Sequence, residues 1–80
     1  MDQKKIYEAL DKIFRDVFDD DSIVLTPTTA AGDIPGWDSL KHINITVAAE
    51  SAFGIRFKSS ELEELQDIGS LVAVIERKLN

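Results

Sequence analysis

Three observations predict an all-α fold, a small bundle of three longer helices plus one short helix, with a long first loop. Apolar residues recur at helical spacing in three stretches, near the start, the middle and the end of the chain. Both prolines, and the Thr-rich run around the first of them, lie between the first two of these stretches. The one short extended run, Ile55-Arg56-Phe57, has no second strand to pair with. With 80 residues the chain supports one domain, residues 1–80, near the lower size limit for folding without a staple. No disulfide or thiolate metal site supplies one, since the sequence has no cysteine, and the single histidine, His42, has no partner ligand.

The first helix is predicted over Gln3 to Phe18, with Ile6, Leu10, Ile13, Phe14 and Val17 on its apolar face and Asp2 as its cap. The run Asp19-Asp20-Asp21-Ser22 ends it, because crowded carboxylates near a helix C-terminus oppose the dipole. That run does not make a calcium loop. Counted from Asp19, Ile23, Val24 and Ala30 stand where an EF-hand needs an oxygen ligand, a glycine and a glutamate.

Residues 19–37 form a loop longer than compact domains usually carry, which implies function or anchoring by its own side chains, with Val24, Leu25, Ile34 and Trp37 as the anchors. Pro35-Gly36 suits a turn with proline first and glycine second, aiming the chain into a cap at Asp38. The second helix is predicted over Ser39 to Phe53. A carboxylate at Asp38 can accept from the unpaired first-turn N–H groups, and the hydroxyl of Ser39 then sits at the positive end of the helix, a good seat for a phosphate ester.

At about 100° per residue, Leu40, Ile43 and Val47 fall in one stripe of this helix centred about 70° from Ser39. Ile45, Ala49, Ala52 and Phe53 fall in a second, centred about 265°, so the two lie on nearly opposite sides. Ile45 and Phe53 are expected in the core, and the first stripe is expected as a contact surface beside Ser39. Gly54 provides a left-handed exit. Ile55-Arg56-Phe57 follows with its apolar residues on one side. Ser59 or Ser60 then caps a brief helical turn through Glu61-Leu62-Glu63-Glu64-Leu65. The last helix begins at Gly69 or Ser70 and runs to residue 79, with Leu71, Val72, Ile75 and Leu79 on its apolar face and Arg77 and Lys78 in its last turn.

Gly36-Trp37-Asp38-Ser39-Leu40, followed by Ile43, Val47, Glu50 and the Phe53-Gly54-Ile55 exit, resembles the acyl carrier protein family and its relatives in polyketide and nonribosomal peptide synthesis. The resemblance covers nearly the whole chain. It implies a 4′-phosphopantetheine arm, taken from coenzyme A by a phosphopantetheinyl transferase and attached to Ser39. It implies acyl groups carried as thioesters on the arm's terminal thiol, for fatty acid, polyketide or related biosynthesis. The chain is then a carrier rather than an enzyme, used by acyl-loading, condensing or acyl-transferring enzymes. Asp38, Leu40, Lys41, Ile43 and Val47 are the residues expected to meet those partners. A peptidyl or aryl carrier shares the motif.

A net charge of −6 argues against nucleic acid, which demands clustered Lys and Arg, and favours basic protein partners. No apolar run is long enough for a signal peptide or a membrane span, so a soluble, cytoplasmic monomer is expected. A serine hydrolase is disfavoured, since His42 has no group to orient it. One departure from the family concerns charge on the serine-bearing helix. Lys41, His42, Asn44 and Thr46 occupy places where carriers of general fatty acid synthesis usually have carboxylates, leaving Glu50. Acidity is moved to Asp16, Asp19, Asp20 and Asp21 and to Glu61, Glu63, Glu64 and Asp67, which suggests a specialised carrier that docks through its apolar stripe. The competing class is a helical protein-interaction module in which Ser39 is only a helix cap or a phosphorylation site.

Overall fold

The computed structural model describes residues 2–63, 65 and 67–79. Four α-helices are found among them: α1 Gln3–Phe18, α2 Ser39–Phe53, α3 Ser59–Glu63 and α4 Ile68–Leu79, with a single 3-10 turn, Ala31–Asp33, in the first loop. The first two helices have the predicted limits because local chemistry sets them. Asp2 accepts from the Lys5 N–H at 3.0 Å, and Asp38 accepts from the Lys41 N–H at 2.9 Å. At the other ends Asp19 and Gly54 adopt left-handed backbone, φ 52° and 66°, and turn the chain out.

Helix α1 packs against both α2 and α4. Ile6, Leu10 and Phe14 from α1 meet Ile45, Ala49 and Phe53 from α2 and Ile68, Leu71, Val72 and Ile75 from α4 in one core. The long loop is tied down on both sides. Asp11 accepts from the Leu25 N–H at 3.0 Å and Arg15 Nε donates to the Ile23 carbonyl at 2.8 Å, so two polar residues one turn apart on α1 hold its first half. Its second half meets the start of α4. Ile68 N–H donates to Thr29 O at 2.8 Å, Gly69 N–H donates to Pro27 O at 2.9 Å, and Ala30 and Asp67 form an isolated antiparallel bridge.

Several expectations need correction. Val24 does not anchor the loop, being 68% exposed, because its neighbours Ile23 and Leu25 take the places against the core. In α2 the buried residues are Ile45, Thr46, Ala49 and Phe53, which centre about 295° from Ser39 rather than 265°. That rotation leaves Ala52 exposed and buries Thr46, whose hydroxyl is satisfied by the Ile43 carbonyl at 2.9 Å.

Neither Ser59 nor Ser60 caps α3. Both lie inside it, and Glu61 Oε1 reaches back to the Lys58 N–H at 2.7 Å. The turn ends at Glu63, leaving Leu65 outside the helix, and Glu64 lies outside the described residues. Helix α4 begins at Ile68 rather than at Gly69 or Ser70 because Asp67 supplies the cap, accepting from the Ser70 N–H at 2.8 Å and the Ser70 hydroxyl at 2.9 Å. Among the described residues no helix is long and apolar enough to cross a membrane, and no cluster of three or more His, Asp or Glu residues is placed to hold a metal.

Candidate functional site

The site is built where the long loop enters α2. Pro35 and Gly36 turn the chain, with Trp37 N–H donating to Ile34 O at 3.3 Å and Gly36 at φ 85°, the positive φ that favours glycine at that place. Trp37 then anchors the entry. Its ring stands edge-on to Phe14 at 5.2 Å and to Phe18 at 6.3 Å, and it stacks on His42 at 6.1 Å with the planes 23° apart. The next residue, Asp38, is extended, and its side chain and carbonyl accept from the N–H groups of Lys41 and His42. Ser39 is the first residue of α2 and is exposed. The N–H groups of Ser39 and Leu40 find no acceptor among the described residues, so the positive end of the helix remains open beside the hydroxyl.

Leu40, Ile43 and Val47 are 65%, 56% and 57% exposed, a degree unusual for side chains of their size one or two turns from a core. They form a continuous apolar stripe running from Ser39 along α2. An open depression lined by Trp37, Asp38, Ser39, His42 and Ile43 lies at the head of this stripe. A narrower cavity between α2 and the start of α4 is lined by Ile45, Thr46, Leu65, Asp67, Ile68 and Leu71, and shares Trp37 and His42 with it.

His42 stands three residues beyond Ser39, yet no hydrogen bond joins them among the described residues, since the imidazole is laid against Trp37. Among the described residues the serine therefore has no aligned base.

Lys41, expected to meet partners, also makes contacts within the chain. It is half-buried, and its ammonium donates to the Val17 carbonyl at 3.2 Å, 6.0 Å from the centroid of the Phe18 ring. Glu50, the one carboxylate within α2, is also engaged, accepting from the Phe57 N–H at 2.9 Å. The exposed face of α2 is thus apolar and nearly uncharged, while Asp16, Asp19, Asp20 and Asp21 stand exposed at the end of α1. The burial of Thr46 and the stacking of His42 have no local signal in the sequence, because both depend on which neighbour covers that edge of the helix.

A small helical bundle that presents an exposed serine at a capped helix end, with an apolar stripe beside it and no base at hand, has the build of a carrier. The phosphopantetheine attachment site family matches residues 8–75, and the chain belongs to that family, the acyl carrier proteins, whose members are carriers rather than enzymes and whose prosthetic group is 4′-phosphopantetheine. The chain is similar to the acyl carrier protein of Petrotoga mobilis, 29% identical over 80 residues, covering all of this chain and 94% of that one. It is similar to that of Thermotoga maritima, 27% identical over 77 residues, covering 96% and 95%. A solution NMR structure of holo acyl carrier protein from Geobacter metallireducens superposes with a TM-score of 0.86 at 49% identity, covering 91% of this chain and 84% of that chain.

Proposed function

We propose that Ser39 is the residue that takes the phosphopantetheine arm, and that Asp38, Leu40, Ile43 and Val47 form the surface on which partner enzymes dock. The observation that carries this reading is the position of Ser39, exposed at the first turn of α2 and flanked by three exposed aliphatic side chains. The surroundings fit a phosphodiester. The hydroxyl is open to a partner, the helix end beside it is positive, and the nearest carboxylate, Asp38, is occupied in capping.

The arm, once attached, supplies a thiol that holds acyl groups as thioesters. The chain's own contributions are physical. It keeps Ser39 on a rigid helix end, offers an apolar stripe whose burial stabilises the docked complex, and leaves the acid and base groups of each reaction to the partner. The partners are a phosphopantetheinyl transferase and acyl-loading, condensing or acyl-transferring enzymes of fatty acid, polyketide or related biosynthesis. The acid-poor face of α2 favours service in one dedicated pathway. A partner matched to a neutral apolar stripe discriminates against carriers with carboxylates there.

Incubation with coenzyme A, magnesium and a broad-specificity phosphopantetheinyl transferase tests the reading by intact mass. One phosphopantetheine is expected to add to the wild type and none to Ser39→Ala, whose helical circular dichroism is unchanged. An adduct that survives Ser39→Ala, or none with several transferases, overturns it. A phosphate-sized adduct on protein isolated from cells supports the interaction module instead.

A further inference from the structure

Lys41 lies two residues after Ser39, where a free ammonium would face arriving partners. It is held at both ends instead. Its backbone N–H donates to Asp38 Oδ1 at 2.9 Å and closes the cap of α2. Its Nζ crosses to α1 and donates to the Val17 carbonyl at 3.2 Å. Val17 is the next-to-last residue of α1, so its carbonyl is among the last four, which have no partner within the helix and carry the negative end of its dipole. The Arg15 carbonyl in the same turn is already taken by the amides of Asp19 and Asp20. The ammonium therefore completes the end of α1 at the point where three consecutive carboxylates, Asp19 to Asp21, begin.

We propose that Lys41 is a positioning residue for Ser39. The lysine ties the first turn of α2 to the last turn of α1, so the serine hydroxyl reaches a transferase in one orientation. This inference rests on Ser39 being the attachment residue. Without the ammonium, the two helix ends meet through the aromatic contacts of Trp37 with Phe14 and Phe18, which resist separation but allow rocking about the rings. Misplacing a reacting group by about 1 Å can cost up to about 100-fold in rate, and a tie one turn away is expected to cost about fivefold. A docking charge would act differently, through affinity for the partner, and salt would screen it.

Lys41→Met keeps a long aliphatic side chain and removes the ammonium, Lys41→Gln keeps a neutral donor, and Lys41→Arg keeps a charged one. Modification of the full chain is followed with coenzyme A, magnesium and a broad-specificity transferase, each variant held below its own melting temperature. Lys41→Met is expected to lower kcat about fivefold with KM for the carrier unchanged, at low salt and at about 0.5 M, with Lys41→Arg recovering most of the loss. Lys41→Gln is expected to fall between them, and it carries the test if the methionine variant does not fold. A raised KM whose effect disappears at high salt overturns the proposal in favour of a docking charge. A lower melting temperature with unchanged kcat and KM also overturns it, as does failure of Lys41→Arg to recover the rate. Modification of a Ser39→Ala control removes the attachment reading itself, independently of Lys41.

Discussion

The indole of Trp37 stands edge-on to the ring of Phe14, centroids 5.2 Å apart and planes at 78°, and so ties the residue two before Ser39 to a fully buried side chain of α1. The entry to the serine-bearing helix is thereby packed against the core, as Leu25 packs the first half of the loop leading to it. Trp37→Ala is expected to cost roughly 2–3 kcal/mol, below the usual loss for a fully buried tryptophan because the ring is half-exposed. It should also slow modification, since the turn that aims Asp38 and Ser39 loses its anchor. Urea unfolding beside transferase kinetics measures both effects.

The two sides of α2 should separate stability from docking. Phe53 is 9% exposed, and Phe53→Ala is expected to cost about 3–5 kcal/mol, a large share of the stability of so small a domain. Val47 is 57% exposed, and Val47→Ala should cost under about 0.5 kcal/mol while slowing modification or acyl transfer. Chemical denaturation and transfer rates of the two variants are the check. The opposite pattern would mean that α2 buries its other face.

Gly69 is required by contact rather than by backbone freedom. It lies in the first turn of α4, and a Cβ there would stand 2.9 Å from the carbonyl oxygen of Pro27, which its own N–H also binds. Gly69→Ala should therefore destabilise by about 1–3 kcal/mol, although alanine is the better helix former. Hydrogen exchange should locate the loosening at residues 27–30 and at the Ile68 and Gly69 amides.

Acid should loosen α3 and the start of α4. The Lys78 ammonium, 2.8 Å away, and then the Lys58 N–H hold the Glu61 carboxyl below its ordinary range, and the backbone N–H and hydroxyl of Ser70 do the same for Asp67. A folded-state pKa below the unfolded value contributes stability that is complete above the unfolded pKa and lost as pH falls through the folded one. The urea midpoint is expected to stay level from about pH 7 to about pH 5 and to decline below about pH 4. Glu61→Gln and Asp67→Asn should lower the neutral plateau and flatten the decline, as fluorescence-monitored titrations would record.

The elements legible from the chain alone were those whose limits are local. Asp2 and Asp38 sit one residue before the first helical residue and Gly54 one residue after the last, so the limits of α1 and α2 follow from the groups that close a helix. The exposed stripe of Leu40, Ile43 and Val47 was legible for a similar reason, because a helix in an 80-residue chain cannot cover two opposite faces equally. The starts of α3 and α4 were read one or two residues late. At α3 Ser59 and Ser60 offered themselves as caps, whereas both lie inside the helix and Glu61 closes its first turn on the Lys58 N–H; at α4 the cap is Asp67, just ahead of the helix.

By itself, then, the sequence determined the limits of α1 and α2, the capped serine and the two opposite apolar stripes of α2, because these depend on backbone hydrogen bonding and on periodicity within about four residues. Only the tertiary structure decided that Lys41 crosses to Val17, that His42 lies on Trp37, that Thr46 is buried while Ala52 is not, and that Asp11 and Arg15 hold the long loop. Each of these turns on which element lies beside a residue at the edge of a buried face. A long side chain there can reach water or a neighbour's unpaired carbonyl with little difference in local energy, and the choice is made only when the neighbour arrives.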